Sequence, residues 1–388
     1  MTIDLAAIKE QLKAYAQSVG LDLIGVAGAD PFRVDEERLV ARKEKGFGPN
    51  PYEPQEIKPR VEPEQLLPGV QSIISAGISY LVESTDDNLT DGSVADGPRG
   101  WLSRYCRGQD YHQVLKEALR QVAAWIEESV PGAKTLVYVD TGPPLERSYA
   151  ERAGVGKWGK STMLISPPYG TWTFLGSILT TLPLPPDEPI EAACGTCTLC
   201  IDACPTGALH PWELEANQCL SYVTQMKGII PAEFREVMGN RLFGCDDCQD
   251  VCPYNKRARR VDRPSFHPHP EVGGEPNLLQ LMAMTKSDFR RWFEPTAAGW
   301  RGKTTIQRNA IIALGNSGDP AGLPSLVQAL QNDSAVIRAH AGWALGRLAR
   351  LAPAVQAEVR TALMDGLARE TDGAAQLEMT GALESLGA

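Results

Sequence analysis

Nowhere in the 388 residues is there a run of about eighteen apolar side chains, so no segment is expected to cross a membrane. The opening residues, Met1-Thr2-Ile3-Asp4-Leu5, carry no basic stretch followed by an apolar core, and no secretory leader is expected. A cytoplasmic location follows as an expectation, and with it reduced thiols. No G-x-G-x-x-G opens a helix and no Walker loop occurs, so nucleotide binding is not signalled. Positive charge is in deficit: 38 Lys and Arg face 48 Asp and Glu, a formal net charge of −10. That balance argues against a wholly basic nucleic-acid binder and leaves room for a local basic face. The five histidines say little. His112 begins a predicted helix, where a lone histidine is ordinarily structural, and His267 and His269 lie in a Pro-rich segment. Cysteine, by contrast, is plentiful: nine residues, clustered, which in a reducing compartment points to metal or redox work and not to disulfides.

Before the first Pro-rich stretch the pattern is mixed α/β. Leu5, Ile8, Leu12, Tyr15 and Val19 follow helical spacing, and Gly20 ends the run as a C-terminal cap would. Leu21 to Ala27, Ser72 to Tyr80, Thr135 to Val139 and Thr171 to Leu179 read as strands. From His112 to Val130 the apolar residues Leu115, Leu119, Val122, Ile126 and Val130 line one side of an amphipathic helix. Ser84 to Gly100 is polar and Gly-rich and reads as a long loop. Leu182 to Ile190 reads as a stiff Pro-rich linker, and Val261 to Asn277 is a second Pro/Gly segment. The last ninety residues repeat themselves. Ile306 to Gly315 (IQRNAIIALG) resembles Ile337 to Gly346 (IRAHAGWALG), 31 residues later, with an echo at Leu377 to Gly387. Second helices are predicted between them, at Leu323 to Leu330 and Val359 to Leu367. Paired helices at such a period are the mark of a short HEAT-like stack.

The cysteines carry the sharpest signal. Cys194-x2-Cys197-x2-Cys200-x3-Cys204-Pro205 is the bacterial ferredoxin run for a [4Fe–4S] cluster. A second run, Cys245-x2-Cys248-x3-Cys252-Pro253, is completed by Cys219, with 25 residues between Cys219 and Cys245. Two residues between thiolates let one turn of backbone wrap a cubane and aim N–H groups at its sulfurs. A zinc site of four cysteines pairs two C-x2-C knuckles, which a triple run followed by Cys-Pro does not provide. In two-cluster ferredoxins the fourth cysteine crosses to the other cluster. Cys194, Cys197, Cys200 and Cys252 are therefore expected to hold one cluster, and Cys219, Cys245, Cys248 and Cys204 the other. Cys106 is left over and reads as a small buried apolar side chain.

Several further stretches resemble the epoxyqueuosine reductase family over nearly the whole chain. They are Asp140 to Lys160 (DTGPPLERSYAERAGVGKWGK), Ser103 to His112 (SRYCRGQDYH), Cys200 to Ala208 (CIDACPTGA), Gly239 to Cys248 (GNRLFGCDDC) and Trp300 to Asn309 (WRGKTTIQRN). The resemblance implies an α+β chain of three parts: an N-terminal α/β cobalamin-binding domain over residues 1–183, a ferredoxin-like two-cluster domain over 184–262, and a linker with C-terminal α-helical HEAT-like repeats over 263–388. It implies cobalamin bound without its own base, reduced through two [4Fe–4S] clusters, and reduction of epoxyqueuosine to queuosine at the wobble position of tRNA. Asp140 would be the catalytic acid, at the end of an apolar strand where burial would raise its pKa. Cobalamin contacts would fall on Arg60, Ser103, Asp140, Leu164, Leu175, Ser221 and Asp246, with Ser103 where some relatives have cysteine.

A tRNA substrate calls for a cationic face. Between Pro253 and Arg308, eleven Lys or Arg stand against five acids, interleaved with Trp292, Phe293 and Trp300. Lys256, Arg257, Arg301, Lys303 and Arg308 are the candidates to meet the RNA. An unidentified low-potential electron donor is expected, and a monomer. Two other readings stay open at this point. One is another cobalamin and iron–sulfur reductase such as a reductive dehalogenase, and the other is a non-catalytic iron–sulfur electron-transfer subunit.

Overall fold

Four apolar runs pair into one antiparallel sheet, as their β-branched composition and length favour. They are β1 (Leu23–Gly28), β2 (Ser72–Ser79), β3 (Thr135–Tyr138) and β4 (Thr173–Thr180), lying in the order β1-β2-β4-β3. All eight residues of β2 are buried, and Ala76 faces Ile24 on one side and Gly176 on the other. The computed structural model describes residues 4–48, 52–83, 97–191 and 194–387. Most of the loop expected over Ser84 to Gly100 lies outside the described residues.

The sheet belongs to the first of two units, built from Met1–Glu83, Asp110–Cys219 and Asp247–Phe266. Helix α1 (Leu5–Ser18) is capped by Asp4, whose carboxylate accepts the N–H groups of Ala6 and Ala7, and Gly20 leaves it at φ +89. Helix α2 (Tyr111–Ser129) buries Leu115, Leu119, Val122 and Ile126 completely. Each such burial contributes roughly 1.5–3 kcal/mol before entropy is counted. A Cβ on Gly176 would come within 2.6 Å of Leu119, so glycine lets α2 approach β4. Helix α3 (Glu146–Arg152) covers the opposite face, its end seated where Gly25 of β1 leaves room for the Ala153 carbonyl.

The Pro-rich stretch after β4 is not a free linker. Leu182 and Leu184 are buried. Asp187 accepts the Val26 N–H and pairs with Lys9 and Lys13 at 2.7 Å, so these residues lie strapped along the first unit.

The second unit is built from Ser84–Gln109, Leu220–Asp246 and His267–Ala388. Its repeat helices are α4 (Lys303–Ser317), α5 (Leu323–Ala329), α6 (Ala335–Leu351), α7 (Gln356–Leu367) and α8 (Gly373–Ser385). The repeated Ala-Leu-Gly endings have a steric reason. A Cβ on Gly315 would meet Ala344 at 2.8 Å, and one on Gly346 would meet Ala382 at 2.8 Å, so each glycine admits the next long helix. Among the described residues no helix is long and apolar enough to cross a membrane.

Candidate active site and cluster loops

Beyond β3 the chain turns sharply. Val139 is buried, and Asp140 follows at φ +55, a conformation uncommon for a non-glycine residue. The Asp140 N–H donates to Glu146 Oε1 at 2.8 Å, tying the loop Thr141–Pro144 to the start of α3. The Asp140 side chain reaches the start of α2, where its Oδ2 lies 3.1 Å from His112 Nε2. His112 Nδ1 lies 2.6 Å from Asp110 Oδ1, so one imidazole bridges two carboxylates.

The electrostatics correct two expectations. The Asp140 side chain is 56% exposed and not in a dry pocket. Partial desolvation pushes its carboxyl up, but the hydrogen bond and charge of His112 outweigh it, and the carboxyl lies below its ordinary range. His112, read as structural, is the group held protonated. Desolvation pulls its pKa down, yet the bonds to Asp110 and Asp140 raise it to about 9. Glu146, which the sequence did not single out, is raised to about 8 by burial and by the charge of Asp140. A protonated His112 thus faces the ionised Asp140 carboxylate, while Glu146 sits on the Asp140 backbone N–H.

In the second unit Ser103 and Asp246 come together. Ser103 Oγ donates to Asp246 Oδ1 at 2.6 Å, and the Arg104 N–H donates to Oδ2 at 2.9 Å, with Ser103 and Asp246 each 1% exposed. Gly244, at φ +75, leaves no room for a Cβ against Ser103. Ser221 stands nearby in this unit: Gln225 Nε2 bonds its carbonyl at 2.8 Å, its hydroxyl at 3.4 Å and the Tyr105 hydroxyl at 3.2 Å. Cys106 is buried, donates to the Ser103 carbonyl, and has its thiol pushed up by burial and by Asp246, which suits an inert packing role. In the first unit Arg60 is paired with Glu53 at 3.7 Å, while its buried Nε has no hydrogen-bond partner among the described residues. Leu175 is half-buried against the apolar core of the first unit, and Leu164 is inside it at 2% exposure. The Leu164 side chain is thus spent on packing in that core.

The first cysteine run lies on a loop and a short helix, Leu199–Asp202. Burial and the neighbouring Cys194, Cys252 and Cys197 raise the Cys200 thiol. Cys252 is raised by burial and by Cys194 and Cys197, although the N–H groups of Tyr254 and Asn255 point at its sulfur. Four thiols that repel one another when charged, with N–H groups aimed at one sulfur, are a donor set suited to a cationic iron–sulfur core. This grouping includes Cys252, the fourth cysteine of the other run. Among the described residues no three His, Cys, Asp or Glu gather tightly enough to hold a single metal ion. Cys204 lies 3.7 Å from the Thr206 hydroxyl, and Cys219 and Cys248 are half-buried in the same unit. Cys245 packs against an apolar cluster of the second unit.

The five RNA candidates divide. Lys256 and Arg257 are exposed, in the first unit. Arg301 and Lys303 are half-buried in the second, with the Arg301 guanidinium 4.3 Å from the ring centre of Trp300, itself 57% exposed. Arg308 is 1% exposed and donates to the carbonyls of Met226, Gly228 and Thr224. It cannot reach a phosphate, so its expected RNA role is withdrawn.

Ferredoxin-type thiol runs and a carboxylate–imidazole pair in one chain mark an iron–sulfur oxidoreductase. The family model described as "Epoxyqueuosine reductase QueG, DUF1730" matches residues 60–141, "4Fe-4S double cluster binding domain" matches 193–255, and "HEAT repeats" matches 302–384. An epoxyqueuosine reductase from Bacillus subtilis (strain 168) is 40% identical over 383 residues, 98% of this chain and 96% of that one. One from Salmonella typhimurium is 32% identical over 89% of each chain. A solved epoxyqueuosine reductase with an epoxyqueuosine-modified tRNA-Tyr stem loop superposes with TM-score 0.91 at 38% identity, covering 99% of this chain and 100% of that one. The chain belongs to the epoxyqueuosine reductase family, and it is an enzyme.

Proposed function

We propose that this enzyme reduces the epoxide of epoxyqueuosine, at the wobble position of tRNA, to give queuosine. Cobalamin and two [4Fe–4S] clusters would be its cofactors, and it would work in the cytoplasm with a separate low-potential electron donor. The observation that carries the reading is the pairing of Asp140 with a histidine that stays protonated to about pH 9. It comes in a chain alignable almost end to end with reductases of that name. Removing an epoxide oxygen as water consumes two electrons and two protons. When bound, the clusters supply single electrons and cobalamin a strongly reducing, nucleophilic metal centre.

The residues divide the remaining work. Cys194, Cys197, Cys200 and Cys252 would hold one cluster, and Cys204, Cys219, Cys245 and Cys248 the other. The orphaned Nε of Arg60 is a polar group of the kind that cobalamin's amide-bearing rim would satisfy, and this supports the fit there. Asp140 would pass the His112 proton to the leaving oxygen. The loop after Asp140 must then move. A solved structure of the Bacillus subtilis relative is described with its catalytic aspartate loop swung out of the active site. Lys256, Arg257, Arg301 and Lys303 would hold the RNA, with Trp300 as a stacking surface. Residues 1–183 would carry cobalamin, 184–262 the clusters and 263–388 the helical repeats.

The test is Asp140→Asn in the reconstituted enzyme. Iron and corrinoid content should survive while turnover of an epoxyqueuosine-bearing stem loop falls by roughly a hundredfold or more. Wild-type turnover should decline as pH rises through about 9, where His112 loses its proton. Near-normal turnover by Asp140→Asn would move the acid elsewhere. Failure of purified chain to take up a corrinoid would favour an electron-transfer subunit.

A further inference from the structure

Residues Lys157–Trp158 and Leu164–Ile165 form a small hairpin. Its turn is closed by the Thr162 N–H on the Gly159 carbonyl at 3.0 Å, with Thr162 at φ +63. At the tip stands Lys160, 8% exposed. Its Nζ donates to the carbonyls of Gly195 at 2.8 Å and Cys197 at 3.0 Å, and its own N–H points at Cys194 Sγ at 3.4 Å. Trp212 folds over the ammonium, its ring centre 5.4 Å away and its backbone N–H on the Lys160 carbonyl. No carboxylate pairs with Lys160 among the described residues. A buried ammonium satisfied only by carbonyls is costly unless an anion lies beside it.

We infer that Lys160 sets the reduction potential of the cluster held by Cys194, Cys197, Cys200 and Cys252, by placing a fixed positive charge and a backbone N–H against it. The inference rests on the reading of those four thiols as cluster ligands. A cubane with four thiolate ligands carries two negative charges when oxidised and three when reduced. A neighbouring cation therefore stabilises the reduced state more, and an N–H aimed at sulfur acts in the same direction. Iron–sulfur potentials respond to charge, sulfur hydrogen bonds and solvent exposure, and Lys160 with Trp212 over it acts on all three. The electron itself comes from the external donor, and Lys160 neither gains nor loses one.

The experiment compares full-length, anaerobically reconstituted wild type, Lys160→Gln, Lys160→Met and Lys160→Arg by iron content and by potentiometric titration of the reduced-cluster EPR signals. Lys160→Gln and Lys160→Met should keep about eight irons. One of their two midpoints should become more negative by at least about 59 mV, a tenfold change in a one-electron equilibrium. The other midpoint should stay, and Lys160→Arg should resemble wild type in both. Full iron with both midpoints unmoved in the neutral variants overturns the inference. So does loss of four irons from both neutral variants, which would make Lys160 a mechanical clip for the loop. Wild type that assembles no cluster on these thiols would instead defeat the underlying ligand reading.

Discussion

Arg308 separates a structural from an RNA-binding role most cleanly. Its guanidinium donates to the carbonyls of Met226 at 2.6 Å, Gly228 at 2.9 Å and Thr224 at 3.1 Å, and to Asn309 Oδ1 through two nitrogens. Arg308→Met keeps the apolar stem and removes every donor. The Thr224 carbonyl retains Asn309 Nδ2 at 2.7 Å. The Met226 and Gly228 carbonyls and Asn309 Oδ1 lose the Arg308 donors, and each buried orphan costs about 1–3 kcal/mol. The expected loss is therefore at least about 3 kcal/mol. For a unit of this size that corresponds to a fall in Tm of about 10 °C. Thermal and urea unfolding of the reconstituted chain would measure it. At a temperature where the variant is folded, the dependence of tRNA affinity on salt should match wild type. Wild-type Tm together with a flattened salt slope would refute the structural role and restore Arg308 to the RNA face.

Two other measurements bear on the second unit. Replacing Arg301 and Lys303 by Ala should raise KM for tRNA and reduce the salt slope by roughly 0.7 to 0.9 for each phosphate left without its cation, with little effect on saturated turnover of a short stem loop; an unchanged slope would remove both from the RNA face. His340 is buried, with Nδ1 2.6 Å from the Val336 carbonyl and Nε2 accepting the Ile230 N–H at 3.1 Å, and burial lowers its pKa to about 3. Since the folded state resists protonation, its contribution is complete above about pH 6.5 and declines by up to about 1.4 kcal/mol per pH unit as pH falls from there towards about 3. Urea titrations at about pH 7 and about pH 5, on either side of the ordinary histidine pKa, should show wild type losing more stability than His340→Gln, and equal losses would contradict this.

The sheet strands were legible because each is a short apolar run between turn residues, and the observed bounds differ from the reading by one or two positions at most ends. The repeats were legible because Gly315 and Gly346 are required wherever two long helices touch. Side-chain partnerships across sequence were not. His112 and Asp140 are 28 residues apart, and nothing in either motif says that a left-handed turn at Asp140 brings them together. The Pro-rich stretch after β4 has the composition of a linker, and its strapping depends on one carboxylate, Asp187, reaching two lysines of α1. Charge counting failed at Arg308 because a buried arginine bonded to carbonyls adds to a basic segment as much as one facing solvent.

That failure points to what the polar face of the repeats does. Thr305, Gln307, Arg308 and Asn309 are all buried along α4, where an ordinary repeat would bury apolar side chains. Arg308, Asn309 and Asn316 find their partners in the backbone between Cys219 and Cys245. Asn309 donates to the Thr224 and Leu242 carbonyls, and Asn316 to those of Arg235 and Gly239. His340 accepts from Ile230, and Arg235 forms a two-bond pair with Glu378 of α8. Two short helices and a short strand in this stretch leave backbone groups at their ends unpaired, and buried unpaired groups are not tolerated. Side chains from α4 and α6 supply the missing partners, and the apolar cluster of Leu220, Val223, Ile230, Met238 and Ile312 closes over them with Cys245 packed against it. The long insertion in the second cysteine run and the helical repeats are therefore one folding problem. The insertion can hold Cys245 in place because the repeats satisfy its backbone, and α4 carries Arg and Asn at positions that a free-standing repeat would fill with Leu.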